Sequence, residues 1–170
     1  MSMYKAWTLI ALAGMSALPA MAQKATLEGT WKLNLTKSFM GPDHPSSDYQ
    51  LTKKIARTDE VISITDIAVH VSMMNIPLPD STTTMEVAAD GQEHDVQVPG
   101  GFPGVPPTTA KVAANWQGCT LEIAQRGSGF AGSGKQRLFL SEDGSQLIIL
   151  VEQHSTYFDS EQRLVFDKQT

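Results

Sequence analysis

The sequence predicts an all-β fold: one antiparallel up-and-down β-barrel of about 8–10 strands, with a β-sandwich as the alternative. Three observations lead there. Short β-branched runs recur about every 8–12 residues, divided by Gly, Pro, Asp and Ser. A helical period is almost absent after residue 22. The runs follow one another as neighbouring hairpins, and a long meander must hide two sheet edges, which closure into a barrel does.

Residues 1–22 stand apart from the domain. Lys5 is their single charge, residues 6–18 are almost wholly apolar, Pro19 breaks the run, and Ala20-Met21-Ala22 precedes Gln23. That is the pattern of a cleaved secretory signal peptide, and its apolar run is shorter than the ~20 residues a spanning helix needs. No cysteine at the cleavage box offers a site for a lipid. The mature chain is therefore expected to be exported, to a bacterial periplasm or outside the cell, with no integral membrane segment. One domain, residues 23–170, remains, long enough to bury a core without staples. Cys119 is the single cysteine, which excludes an intramolecular disulfide.

Within the domain each run has its own pattern. In residues 30–35, Trp31, Leu33 and Leu35 alternate with Thr30, Lys32 and Asn34. Tyr49, Leu51 and Ile55 continue the alternation; Lys53 falls in register with them and is placed near a strand end. The run 61–71 changes parity after Ile62 and Ile64, and a bulge around Thr65-Asp66 would bring Ile67, Val69 and Val71 onto their face. Pro77 and Pro79 take residues 73–80 out of the ladder. Runs 82–88 and 93–98 flank Ala89-Asp90-Gly91-Gln92, read as a hairpin turn centred on Asp-Gly. Residues 110–116 place Val112, Ala114 and Trp116 on one face and turn through Gln117-Gly118 into 119–126. Cys119 shares the parity of Leu121 and Ile123 and reads as a small buried hydrophobe. Residues 136–140 pair through 142–145 with 146–154, whose stretch 147–151 is apolar on both faces and is expected to be covered outside as well as inside. Residues 163–167 form the last strand.

Gly29-Thr30-Trp31 resembles the G-x-W element that opens lipocalin-like barrels, and residues 29–33 are similar to the start of fatty-acid-binding proteins. Val165-Phe166-Asp167-Lys168 is similar to the closing strand of that group, and residues 27–39 look closest to the start of small exported bacterial proteins of no established function. The resemblance implies a calycin-type barrel closed by Gly29, Trp31 and an arginine of the last strand. Arg163 is the candidate, as a cation–π contact on Trp31. The chain departs from the fatty-acid-binding pattern in three places. Arg163 stands one residue further from the terminal Val-Phe-Asp-Lys; residues 36–48, rich in Gly, Pro and Ser, replace a helical lid; and the arginine–tyrosine pair that grips a carboxylate has no motif here.

Charge and motifs narrow the function. Without Lys5, 12 of the 13 basic residues remain against 18 acidic ones, a formal charge of −6, with no basic patch beyond Lys53-Lys54. Binding to nucleic acid or to an anionic membrane is disfavoured. His44, His70, His94 and His154 lack metal-site spacing, although His70 and His154 lie on long strands. No nucleophile elbow or phosphate loop is present, so no metal, cofactor or catalytic residue is assigned.

The favoured function is storage of an apolar or amphipathic small molecule in the barrel interior. Trp116, Leu121 and Ile123 are the candidate binding residues inside. Phe102 and Phe130, in the Pro/Gly-rich stretches 99–107 and 127–134, are the candidates at the mouth. The small residues Val112 and Ala114 are expected to leave space beside Trp116. One alternative is an interaction or inhibitor module acting through those loops on a protein partner, whose identity the sequence leaves open. Another is an enzyme in the lumen around Arg126, Arg137 and a histidine.

Overall fold

The computed structural model describes residues 26–41, 48–69, 72–73, 76–98, 106–127, 132–155 and 159–170. Ten strands form one antiparallel sheet: β1 (Gly29–Leu33), β2 (Gln50–Thr58), β3 (Val61–Val69), β6 (Ser81–Ala88), β7 (Glu93–Val98), β8 (Thr108–Gln117), β9 (Thr120–Arg126), β10 (Ser133–Leu140), β11 (Gln146–His154) and β12 (Asp159–Lys168). Their order is β6-β3-β2-β1-β12-β11-β10-β9-β8-β7. The first and last strands of the chain lie side by side, with Trp31 opposite Lys168 and Leu33 opposite Phe166. The two outer strands of that order, β6 and β7, meet again through the turn 89–92, so the sheet curls into a nearly closed barrel. As Pro77 requires, residues 72–77 leave the main ladder, forming a separate pair of two-residue strands, β4 (Ser72–Met73) and β5 (Ile76–Pro77).

The barrel has one seam. Asp90-Gly91 does make a turn, with Gly91 at φ 77° and Asp90 Oδ1 accepting from the Gln92 amide at 2.9 Å. The flanking strands do not pair with each other, contrary to the hairpin expectation: β6 pairs with β3 and β7 with β8. A ladder through this turn would set Glu86 directly opposite Asp95, a like-charge pair. Asp95 instead meets Lys111 on β8 at 2.8 Å. Two backbone bonds pin the turn across the seam, Ala89 N to Glu60 O and Gly91 N to Ala114 O, both 2.8 Å.

Strand parity fills the interior. Trp31, Phe166, Leu121, Leu138, Leu147 and Ile149 are essentially inaccessible, and burial of each such side chain contributes roughly 1.5–3 kcal/mol. Gly29 begins β1 at φ 140°, a conformation open to glycine, and its Cα faces the Trp31 indole. Trp31 donates from Nε1 to the Leu27 carbonyl at 3.0 Å. The cation above its ring is Lys168, 5.6 Å from the centroid, and not Arg163. Arg163 has odd, outward parity on β12: its guanidinium donates to the Lys37 carbonyl at 3.2 Å, and its backbone bridges Phe39.

Three other expectations change. The β2–β3 ladder runs unbroken from Gln50–Val69 to Thr58–Val61, so there is no bulge at Asp66. Ile62 and Ile64 are buried inside, Ile67 and Val69 take the outer face, and Val71 lies outside the described residues. Cys119 is exposed, because a two-residue turn with Gly118 at φ 62° occupies positions 118–119 before β9 starts. On the outer face of β11, Ile148 and Leu150 are half-buried, with no second layer over them among the described residues. Their cover is lateral: Phe139 and Val165 flank Ile148 on the adjoining strands.

The two ends of the barrel differ. Tight turns at 59–60, 89–92, 118–119 and 141–145 close one end. In the last of these, Asp143 accepts from Ser141 Oγ, then from the amide and hydroxyl of Ser145, which lower its pKa to about 2. The strands flanking 34–49, 70–80, 99–107, 127–132 and 155–158 all end at the opposite, long-loop end.

Candidate functional site

Three of the expected binding residues lie among the described ones, on the adjoining strands β8 and β9. Trp116 and Leu121, paired across β8 and β9, sit at the short-turn end with Leu27, Ile55, Arg57 and Ile62. The space they leave is a cavity of about 20 Å³, which suits one water and not a hydrocarbon chain. Val112 and Ala114, on the same face as Trp116, are both buried and do not line this space. The Trp116 indole nitrogen is buried without a hydrogen-bond partner, and the Arg57 guanidinium lies 5.9 Å from its ring centroid. Ile123 is the next inward residue of β9, 2% exposed, opposite Gln136. Phe102 and Phe130 lie outside the described residues.

Beside the fully buried core, several inward positions carry side chains that are polar or only partly buried. Gln136 pairs with the buried, inward Ile123 and Val151, so it faces inward; Leu164 pairs with inward Ile149, and Thr83 with inward Asp66. Asp66, Thr83, Met85, Val96, Gln136 and Leu164 all point to the interior and none is buried. Half of this set is apolar and half polar; Met85, Val96 and Leu164 pack against the core, as Trp116 and Leu140 do nearer the short turns.

At its centre is a charge pair that sequence reasoning placed elsewhere. Lys53 stands on the inner face of β2 between Leu51 and Ile55, in mid-strand and not near an end. It is 6% exposed and is the buried charged residue among those described. Its ammonium lies 2.5 Å from Asp66 Oδ1, directly across the β2–β3 ladder, and 5.9 Å from the Phe166 ring centroid. The side chains differ in access, 8% for Lys53 and 34% for Asp66, so the carboxylate is the member that meets the lumen. Tyr49 completes the group: burial first, and the Asp66 charge second, push its phenol up to about 12, so it remains a hydroxyl at neutral pH. The signal was available, since Lys53 and Asp66 carry opposite charges at inward positions of consecutive runs.

The arginines stand elsewhere. Arg126 pairs with Glu93 and Arg137 with Glu152, both from outward positions, so neither builds a luminal catalytic site. His94 bonds Asp90 in the turn at 2.9 Å, and His154 bonds Asp159 at 3.2 Å on the exposed rim. His44 and His70 lie outside the described residues. No group of three metal-ligating side chains occurs among the described residues.

No protein-family model matches the sequence, and no curated protein matches it. Solved structures match by fold. A protein described as the REP1-NXSQ fatty acid transporter aligns at TM-score 0.55 and 13% identity, over 85% of this chain and 96% of its own. Human cRBP IV aligns at 0.53 and 15%, over 85% and 98%. A zebrafish ileal bile acid-binding protein complexed with cholic acid aligns at 0.54 and 14%, over 84% and 98%. At such identities the likeness establishes the fold: this chain is a lipocalin-like, fatty-acid-binding-protein-like β-barrel.

Proposed function

We propose that this protein is an exported carrier of an apolar or amphipathic small molecule, held in the half of the barrel nearest the long loops. The observation that carries the reading is a set of inward side chains that are not fully buried, in which Met85, Val96 and Leu164 offer apolar contact and Asp66, Thr83 and Gln136 offer hydrogen bonds. Support also comes from the neighbours, whose descriptions name a fatty acid transporter and a bile acid-binding protein. Trp116 and Leu121, assigned to the ligand on sequence, belong in this reading to the plug beneath it.

An environment-sensitive apolar dye titrated into delipidated protein should bind saturably, with a Kd tighter than about 10 μM, or roughly −7 kcal/mol. Gln136→Trp, which fills the open half, should weaken that binding at least about tenfold, a loss of ~1.4 kcal/mol. Leu150→Trp, on the outer face, should leave it unchanged. Equal effects of the two variants, or no saturable binding, would move the site out of the lumen.

Export is supported by the composition of residues 1–22, with Lys5, the apolar run and Ala20-Met21-Ala22. The intact mass of protein recovered from outside the cytoplasm should correspond to a chain starting at Gln23. A mass retaining Met1 would contradict export by cleavage.

A further inference from the structure

We propose that the lumen selects an uncharged, hydroxyl-bearing amphiphile over a carboxylate, because its cation is already neutralised by Asp66. This rests on the carrier reading above and names the chemical class of its ligand.

Among the described residues the inward charges beside the accessible polar groups are one ammonium and one carboxylate, 2.5 Å apart; Lys168, also of inward parity, is held over the Trp31 ring. The other inward polar residues of the ladders there, among them Thr83, Gln125, Gln136 and Gln162, are uncharged. Arg126, Arg137 and Arg163 are held on the outer face by Glu93, Glu152 and the Lys37 carbonyl, and Arg57 stands at the plugged end. A ligand head entering this space meets the more exposed member of the pair, which is negative. An alkyl carboxylate would have to displace Asp66 from Lys53 and leave two anions sharing one cation in a site of reduced dielectric, an unfavourable exchange. A hydroxyl has no such conflict. It can donate to Asp66, which as an ionised carboxylate has acceptor sites beyond the one used by Lys53. Tyr49, kept protonated by burial and by Asp66, adds a second group able to donate or accept.

The test uses the delipidated full chain at pH 8, loaded with the apolar dye and displaced by 1-dodecanol or by dodecanoate. Dodecanol should displace at a concentration at least about tenfold lower than dodecanoate. Asp66→Asn removes the anion and frees the ammonium, so the preference ratio should move towards dodecanoate by at least about tenfold. The double variant Lys53→Gln with Asp66→Asn restores a neutral interior and should keep the alcohol preference even where the single variant does not fold. Dodecanoate binding as tightly as dodecanol in the native chain overturns the selectivity while the dye still reports a carrier. An unchanged ratio in folded Asp66→Asn overturns the role of Asp66. If the dye itself does not bind, the carrier reading fails, and this inference fails with it.

Discussion

Trp31→Ala should lower the stability of the folded chain by about 3–5 kcal/mol, the cost of removing a large buried aromatic side chain. The indole is wholly buried where β1 meets β2 and β12, the second of these ladders joining the chain's first and last strands. Its loss leaves a cavity in the core and also strips the Leu27 carbonyl of its 3.0 Å donor. At about 2–4 °C per kcal/mol for a domain of this size, the midpoint of thermal unfolding should fall by roughly 6–20 °C. Trp31→Phe keeps most of the volume and should cost less than half as much. A denaturation midpoint unchanged by Trp31→Ala would show that the barrel end is held some other way.

The next largest effect belongs to the charge pair, and its sign depends on how many partners are removed. Asp66→Ala strands the Lys53 ammonium on the inner wall, with 8% of its side chain exposed and no other anion placed against it among the described salt bridges. Breaking a fully buried pair costs 3–5 kcal/mol; because water reaches Asp66, about 2–4 kcal/mol is expected here. Replacing both, as Lys53→Met with Asp66→Leu, should return stability to within about 1 kcal/mol of the parent or raise it, since the desolvation cost of both ions disappears. A double-mutant cycle by chemical denaturation reads the coupling directly. If Asp66→Ala costs less than about 0.5 kcal/mol, the pair is solvated as a surface pair is, and its hold on the lumen is weak.

Much of the barrel was legible because strand parity and turn chemistry are local. Trp31 and Leu33, Val112 and Ala114, and Leu121 and Ile123 all face inward as their alternation requires. Legibility stopped where a partner distant in sequence decides the outcome. Asp66 looked like a break in an apolar face, and a bulge was the local way to remove it. Inside the barrel Lys53, thirteen residues earlier, neutralises it, so the strand needs no correction. The Asp90-Gly91 turn likewise identified itself, but not that its two strands would pair with β3 and β8 and not with each other. Lys168 took the place over Trp31 offered to Arg163, because the β1–β12 register sets Trp31 opposite Lys168. The site was less legible than the fold. Aromatic and aliphatic parity led to Trp116, Leu121 and Ile123, whereas the inward direction of Lys53, Asp66, Thr83 and Gln136 follows from ladder register.

A ligand bound as proposed occupies the half of the lumen at the long-loop end. Chemical-shift perturbation on isotopically labelled protein, titrated with the apolar dye, tests it most directly. Saturable shifts should concentrate at Asp66, Thr83, Val96, Gln136 and Leu164, with small changes at Trp116 and Leu121 in the plug and none at Ile148 and Leu150 outside. Shifts confined to the outer face of β11, or no saturable shift, would contradict it.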